Sequence, residues 1–139
     1  MAQPVDINYL AVLAAAIAAY IIGFLWYSVL FGKLWMKLSN MTEKQIQKAK
    51  EKGMAKNYAI GFLSTLLMSY ILAHFVDYTE SSTVLEGMQT GFWIWLGFVA
   101  TVMLGSILWE GKPLKLYLIN VAHHLAALAV MGAILAVWV

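Results

Sequence analysis

The sequence contains no cysteine and no arginine, and charged residues make up only 12% of its 139 residues. Without cysteine, the chain cannot form disulfide bonds, supply a thiol nucleophile or bind zinc or an iron–sulfur cluster through thiolates. Soluble domains usually carry about 25% charged residues, so the class of ordinary soluble proteins is disfavoured. The net charge of +2 is too small for a nucleic-acid-binding surface, and no nucleic-acid partner is expected. The length suits one domain that covers residues 1–139.

What the sequence has instead is four long apolar segments without Asp, Glu, Lys or Arg, at 7–32, 57–76, 87–109 and 116–139. A helix needs about 20 residues to cross the hydrocarbon core of a bilayer, and every segment reaches that length. Barrel strands would alternate between apolar and polar residues over about ten residues, and soluble helices would have a polar outer face. We therefore predict an all-α membrane protein, a bundle of four transmembrane helices at about 8–31, 57–76, 87–109 and 116–138.

The lysines predict the orientation of this bundle. All nine lie in the loops 33–56 and 110–115, whereas the N-terminal segment and the loop 77–86 contain acidic residues and no lysine. Lysine-rich loops of membrane proteins face the cytoplasm. We therefore expect both lysine-rich loops in the cytoplasm and both chain termini outside.

The loop 33–56 is predicted to contain a short cytoplasmic amphipathic helix. Thr42 and Gln45 have the spacing of a capping box, and Met41 and Ile46 are suited to a hydrophobic staple. Ile46, Ala49 and Gly53 form a thin apolar stripe on an otherwise charged segment. The simplest interpretation is a connector helix near anionic headgroups, and the alternative is a dedicated site for a lipid or a protein partner.

Small residues at helical spacing predict how the spans pack. Because lipid tails are as apolar as leucine, membrane helices associate through close contacts between small residues. The candidate packing residues are Gly97, Thr101 and Gly105 in the third span and Ala122, Ala126, Ala129 and Ala133 in the fourth. The opposite face of the fourth span carries polar side chains, so neither face suits lipid. A second copy of the chain is the simplest partner for such a helix, and we expect a homo-oligomer.

The polar side chains inside the fourth span are Asn120, His123 and His124. Ionisable residues within a membrane are functional candidates because they are costly to bury, and a histidine can relay protons. Asn and His also hold helices together through interhelical hydrogen bonds. Three roles for these residues therefore stay open: a structural contact between helices, a solute or proton path, and a metal site. Metal binding is the least favoured, since adjacent histidines point about 100° apart on a helix. We predict no metal and no cofactor.

Other candidates lie at the predicted cytoplasmic end. Glu110 is expected either in an ion pair with Lys112 and Lys115 or at a charged mouth below the polar face. Four aromatic residues are expected at the inner membrane interface, namely Trp26, Tyr27, Trp35 and Trp109. The sequence contains no phosphate-binding glycine loop, no nucleophile with an adjacent base and no paired carboxylates. We therefore do not predict an enzyme.

Two blocks of the sequence resemble a known family. Trp26-Tyr27-Ser28, followed by Phe31-Gly32-Lys33 and Trp35, resembles the start of the DUF1761 family of small bacterial membrane proteins. Glu110-Gly111-Lys112-Pro113, Asn120, His124-Leu125 and the run from Met131 to Leu135 resemble its end. The resemblance implies a multi-pass protein of the bacterial inner membrane with four spans. It implies no catalytic or binding residues, because the family name denotes unknown function.

The leading functional hypothesis is a homo-oligomeric membrane protein that forms or supports a pathway for a small solute or ion. The face from Asn120 to His124 would line this pathway, with Glu110 near its mouth. The second hypothesis is a non-catalytic scaffold or accessory subunit in which the same polar residues are interhelical glue. A membrane enzyme that acts on lipids comes third. Apart from the solute, the expected partners are the lipid bilayer and further copies of the chain.

Overall fold

The computed structural model describes residues 6–39 and 42–138 and is all-helical across them. Four helical stretches are long and apolar enough to cross a membrane: Tyr9–Leu30, Ala55–Tyr78, Val84–Leu108 and Leu114–Val137. We call them spans one to four. The prediction of four membrane-compatible helices is confirmed, and the observed bounds differ from the predicted ones by a few residues.

The ends of the spans follow local sequence signals. Span one begins after Asn8, whose Oδ1 accepts hydrogen bonds from the backbone N–H groups of Leu10 (3.1 Å) and Ala11 (3.2 Å). Span three begins after Thr83, whose hydroxyl accepts a hydrogen bond from the N–H of Glu86 (3.1 Å). Such side-chain acceptors satisfy N–H groups that a helix leaves unpaired in its first turn. Pro113 precedes span four in an extended conformation and so sets the entry of the chain into that helix.

Spans one and three are not uniform α-helices. Span one consists of the α-helix Tyr9–Leu25 and a π-helical segment, Trp26–Leu30. Span three consists of the α-helix Val84–Ile94, a second π-helical segment, Trp95–Ala100, and the short helices Thr101–Met103 and Gly105–Leu108. At the end of the first π segment, the N–H of Phe31 donates to the carbonyl oxygen of Trp26, five residues earlier (2.9 Å). π-Helical turns are rare and often occur at functional sites.

Two short helices connect spans one and two, Gly32–Leu38 and Glu43–Glu51. The capping box predicted before the second of them is present, because Thr42 Oγ1 accepts from the N–H of Gln45 (3.2 Å) and Gln45 Oε1 accepts from the N–H of Thr42 (3.0 Å). We call Glu43–Glu51 the connector helix. Ile46 and Ala49 are its half-buried residues, and the others are exposed. Met41, the other half of the predicted staple, lies outside the described residues.

Span four lies at the centre of the bundle and packs against each of the other spans. On one side it forms the main apolar core with spans one and two, which includes Ala15, Ala19, Leu72, Val76 and Met131. On its other side it packs closely against the first part of span three. A Cβ on Gly91 would overlap the carbonyl oxygen of Leu128, and a Cβ on Gly87 would overlap the carbonyl oxygen of Gly132. Only glycine allows these two backbones to approach so closely.

The predicted packing stripes have a different environment within the single chain. Gly97 and Thr101 are exposed, and nothing would contact a Cβ at Gly97 within 4 Å. Gly105 is half-buried, as are the four alanines of the predicted stripe on span four, namely Ala122, Ala126, Ala129 and Ala133. The tight contact between spans three and four is thus made by Gly87 and Gly91. The stripe around Gly97 is left facing outward from the chain.

Candidate functional site

A cavity of about 750 Å³ lies between spans one, two and four and is covered by the connector helix. It reaches two exposed lysines, Lys33 and Lys50, so we call it the lysine-end cavity. Most of its lining side chains are apolar, and several are methionines. Apart from these lysines, its polar lining comes mainly from hydroxyl groups and from the two histidines of span four: Tyr20, Tyr27, Ser28, Tyr58, Thr65, His123 and His124.

His123 and His124 form one wall of this cavity. Their ring centroids are 4.8 Å apart, and the ring of Tyr27 lies 5.1 Å from that of His123 in an edge-on arrangement. Both ring nitrogens of His123 are buried without a hydrogen-bond partner among the described residues. Its Nε2 lies against span one, where a Cβ on Gly23 would stand only 3.0 Å away. Buried polar groups are nearly always hydrogen-bonded, so an unpaired histidine marks this wall as unusual.

Aromatic side chains from both π segments hold the same part of span four. The indole N–H of Trp26 donates to the carbonyl oxygen of Ile119 (3.0 Å), and that of Trp95 donates to the carbonyl oxygen of Val121 (2.7 Å). Each of these tryptophans is the first residue of its π segment. Tyr117 in turn donates its hydroxyl proton to the carbonyl oxygen of Ala100, at the end of the second π segment (2.7 Å). These hydrogen bonds therefore connect the histidine-bearing stretch of span four to span one on one side and to span three on the other, and we call them the clamp.

Asn120 belongs to this clamp. The hydroxyl group of Tyr27 donates to Asn120 Oδ1 (2.8 Å), which joins spans one and four. Asn120 is half-buried and does not line the lysine-end cavity. Its amide oxygen acts as an interhelical acceptor within the chain.

A second cavity of about 650 Å³ lies between the opposite ends of the same three spans. Its lining includes three acidic residues, Asp6, Asp77 and Glu80, so we call it the acidic-end cavity. Leu135 and Trp138 border it on span four. Residues from both ends of the described chain therefore line one cavity, as expected when four spans cross in alternating directions.

A layer of packed residues lies between the two cavities, and we call it the septum: Val12, Ala15, Ser69 and Leu72. These side chains are at most 4% exposed and line neither cavity. The hydroxyl group of Ser69 donates to the carbonyl oxygen of Val12 (2.9 Å), which satisfies its hydrogen-bonding need within the septum. Met131 lines the lysine-end cavity and Leu135 the acidic-end cavity, only one helical turn apart, or about 6 Å.

The remaining predicted residues lie around this site. Tyr27 and Trp35 line the lysine-end cavity, whereas Trp26 hydrogen-bonds to span four and does not line the cavity. Trp109 is 86% exposed, and Glu110 is exposed in the turn before span four, outside the cavity lining. His74, in span two, hydrogen-bonds through Nδ1 to the carbonyl oxygen of Tyr70 (2.9 Å). Two of the four predicted pathway residues, His123 and His124, therefore meet in one cavity.

Sequence analysis missed other residues of the site. Tyr20 hydrogen-bonds to the carbonyl oxygen of Tyr58 (2.7 Å) across the lysine-end cavity wall, and Thr65 and Met68 line it from span two. The small-residue spacing of Gly61, Thr65 and Ser69 is the sequence signal that could have placed this face of span two against protein. Among residues 6–39 and 42–138, no group of three or more His, Asp or Glu side chains is placed to hold a metal ion.

Comparison with known proteins agrees with the terminal motifs. The family model described as a protein of unknown function (DUF1761) matches residues 10–136, nearly the whole chain. No curated protein and no solved structure shows a significant match. The chain therefore belongs to the DUF1761 family and has four helices that are compatible with a multi-pass membrane protein.

Proposed function

We propose that the protein provides a pathway for a small solute along the interface of spans one, two and four. The observation that supports this most directly is the pair of cavities at opposite ends of one three-helix interface, separated only by the septum. Small-molecule sites typically occupy about 300–1,000 Å³ and are mostly apolar with a few placed polar groups, as is the lysine-end cavity. Because the septum lies between the two cavities, the pathway is closed in this conformation, and a solute in one cavity has no open route to the other.

The proposal includes an orientation and an assembly. Following the distribution of lysine, the lysine-end cavity opens to the bacterial cytoplasm and both chain termini lie outside the inner membrane. In the stripe of Gly97, Thr101 and Gly105, the first two residues are exposed and are available for contact with a second copy. The pathway itself lies within one protomer, so oligomerisation would support the bundle rather than form the pore.

His124 is the proposed polar contact of the solute within the lysine-end cavity, because both ring nitrogens of His123 are buried. A neutral imidazole donates one hydrogen bond and accepts another, so His124 can bind either kind of polar group. Glu110 has no contact with this cavity and is left as an exposed residue near its end of the bundle. No catalytic role is proposed for any of these residues.

One specific observation favours the scaffold alternative. Asn120 and the tryptophans of both π segments form hydrogen bonds between spans, and such bonds are the expected glue of a purely structural bundle. A scaffold, however, would not need two cavities in line. The two functions therefore differ in whether water-soluble molecules reach residues on both sides of the septum.

Cysteine accessibility tests this difference cleanly because the chain has no native cysteine. Thr65→Cys reports on the lysine-end cavity and Ala73→Cys on the acidic-end cavity. In oriented vesicles, a membrane-impermeant thiosulfonate reagent is expected to modify these two variants from opposite sides. Gly97→Cys is the matched control: it lies on the outer surface of the bundle, so it should stay unreactive, and oxidation should cross-link it if copies associate there.

Flux measurements complete the test. Proteoliposomes loaded with a pH-sensitive dye report protons, and light scattering reports the entry of glycerol. We expect faster entry of at least one probe than in protein-free liposomes, and we expect modification of Thr65→Cys to block it. Unreactive cysteines on both sides would overturn the pathway and favour the scaffold, whereas vesicles as tight to both probes as protein-free ones would exclude protons and glycerol as its solutes.

A further inference from the structure

The lysine-end cavity changes chemically along its length. Its mouth carries the exposed lysines Lys33 and Lys50, and its middle carries the histidine pair. Its deepest part is bounded by Met68 and Met131. The histidines lie about two and a half turns into span four, and Met131 lies about two turns deeper. The cavity is therefore a long slot with a cationic entrance and an apolar end.

The charges of the two cavities are opposite. Among the residues that the structure describes, the lining of the lysine-end cavity contains lysines and no acidic residue, whereas that of the acidic-end cavity contains acidic residues and no lysine. An anionic group is favoured at the first mouth and disfavoured at the second. A fully water-soluble anion would gain little from the apolar depth of the slot, but an anion attached to a chain of methylene groups would bury that chain there.

The apolar part of the slot suits a flexible chain. Methionine is unbranched and polarisable, so it adapts to ligands of irregular shape, and four methionines line this cavity: Met36, Met54, Met68 and Met131. A volume of about 750 Å³ is within the range of pockets that hold one small ligand. These features fit one chain rather than a complete two-chain lipid.

We infer that the lysine-end cavity binds a single-chain amphiphile with an anionic head group. The head lies at Lys33 and Lys50, and the chain passes the histidine pair and ends near Met131. The inference names the solute class of the pathway and rests on that proposed function for transport, whereas the binding step can be tested alone.

The test is photolabelling in vesicles of zwitterionic phosphatidylcholine. The probe is a sixteen-carbon fatty acid with a diazirine near its methyl end, and mass spectrometry maps the labelled residues. We expect labels near Met68 and Met131, competition by palmitate, and much weaker competition by hexadecanol or butyrate. Labelling confined to outward-facing residues such as Val102, which is 73% exposed, would overturn the inference because it would indicate simple partition into lipid.

A matched pair of variants tests the role of the lysines. Lys33→Gln with Lys50→Gln should weaken labelling about thirtyfold, because each lysine near an anionic group strengthens its binding about fivefold. Lys112→Gln with Lys115→Gln removes the same charge from the same end of the bundle but not from the cavity lining, so it should leave labelling unchanged. Equal effects of the two double variants, or equal competition by hexadecanol, would refute the anionic head group.

The outcomes separate this inference from the proposed function. Cysteines that react from opposite sides together with no specific labelling would leave the pathway standing and overturn the amphiphile. Specific labelling with no reaction at Ala73→Cys would support the amphiphile and overturn the pathway, since it would indicate a binding site with no second entrance.

Discussion

His123 is surrounded by the rings of Trp26, Tyr27 and His124, and neither of its ring nitrogens is hydrogen-bonded to a residue that the structure describes. A buried polar group without a partner typically costs about 1–3 kcal/mol. We expect His123→Phe to keep the packing of an aromatic ring and remove this cost, raising the free energy of unfolding by about that amount. Thermal unfolding in lipid nanodiscs measures the effect.

The control for this prediction is His124→Phe. His124 lies beside His123 on the same cavity wall, but its nitrogens are not among the buried unpaired atoms, so a smaller change is expected. A less stable His123→Phe protein would contradict the prediction and would indicate that a water molecule or a ligand satisfies His123 in the membrane.

At the residue scale, the sequence predicted which side chains are unusual but not which of them meet. Asn120 and His124 share a helical stripe, yet Asn120 is bound to Tyr27 whereas His124 lines a cavity. Spacing along one helix gives the face of a residue, not the neighbour on the next helix. The partner of Asn120 depends on where the π segment of span one places Tyr27, and no pattern in the sequence indicated that segment.

At the scale of elements, spans three and four approach each other closely at Gly87 and Gly91. We expect Gly91→Ala to destabilise the protein by at least about 1–3 kcal/mol, the usual cost of forcing an extra group into a packed interface. Gly97→Ala, in the same span, places the same methyl group where no other described residue of the chain lies within 4 Å, so the monomeric protein should unfold at the temperature of the unsubstituted monomer. Thermal unfolding of both variants measures the difference, and equal stabilities would contradict the observed packing of these spans.

The existence of the spans was predictable because it depends on local composition. Charge-free segments of sufficient length specify membrane helices regardless of their neighbours, and Thr42 with Gln45 specified the start of the connector helix in the same local way. The π segments were not predictable, since an extra residue per turn is stabilised by contacts with another span. The hydrogen bonds of Trp26 and Trp95 to span four are such contacts.

At the scale of the whole molecule, the cavities depend on how spans one, two and four separate at their two ends. That separation follows from the sizes of facing side chains, such as Ala19 and Gly61 near one cavity and Ala73 and Ala136 near the other. Each of these small residues is visible in the sequence. Their combination into two aligned cavities appears only when three helices are placed together.

The direction of the pathway depends on the orientation of the whole molecule in the membrane. Lys48→Cys replaces an exposed residue of the connector helix, and Ser82→Cys an exposed residue between spans two and three, at the opposite end of the bundle. Because lysine-rich loops stay in the cytoplasm, an impermeant thiol reagent should label Ser82→Cys in intact bacterial cells and Lys48→Cys only after permeabilisation. Labelling of Lys48→Cys in intact cells would reverse the orientation, and the cationic mouth would then take its anion from outside the cell.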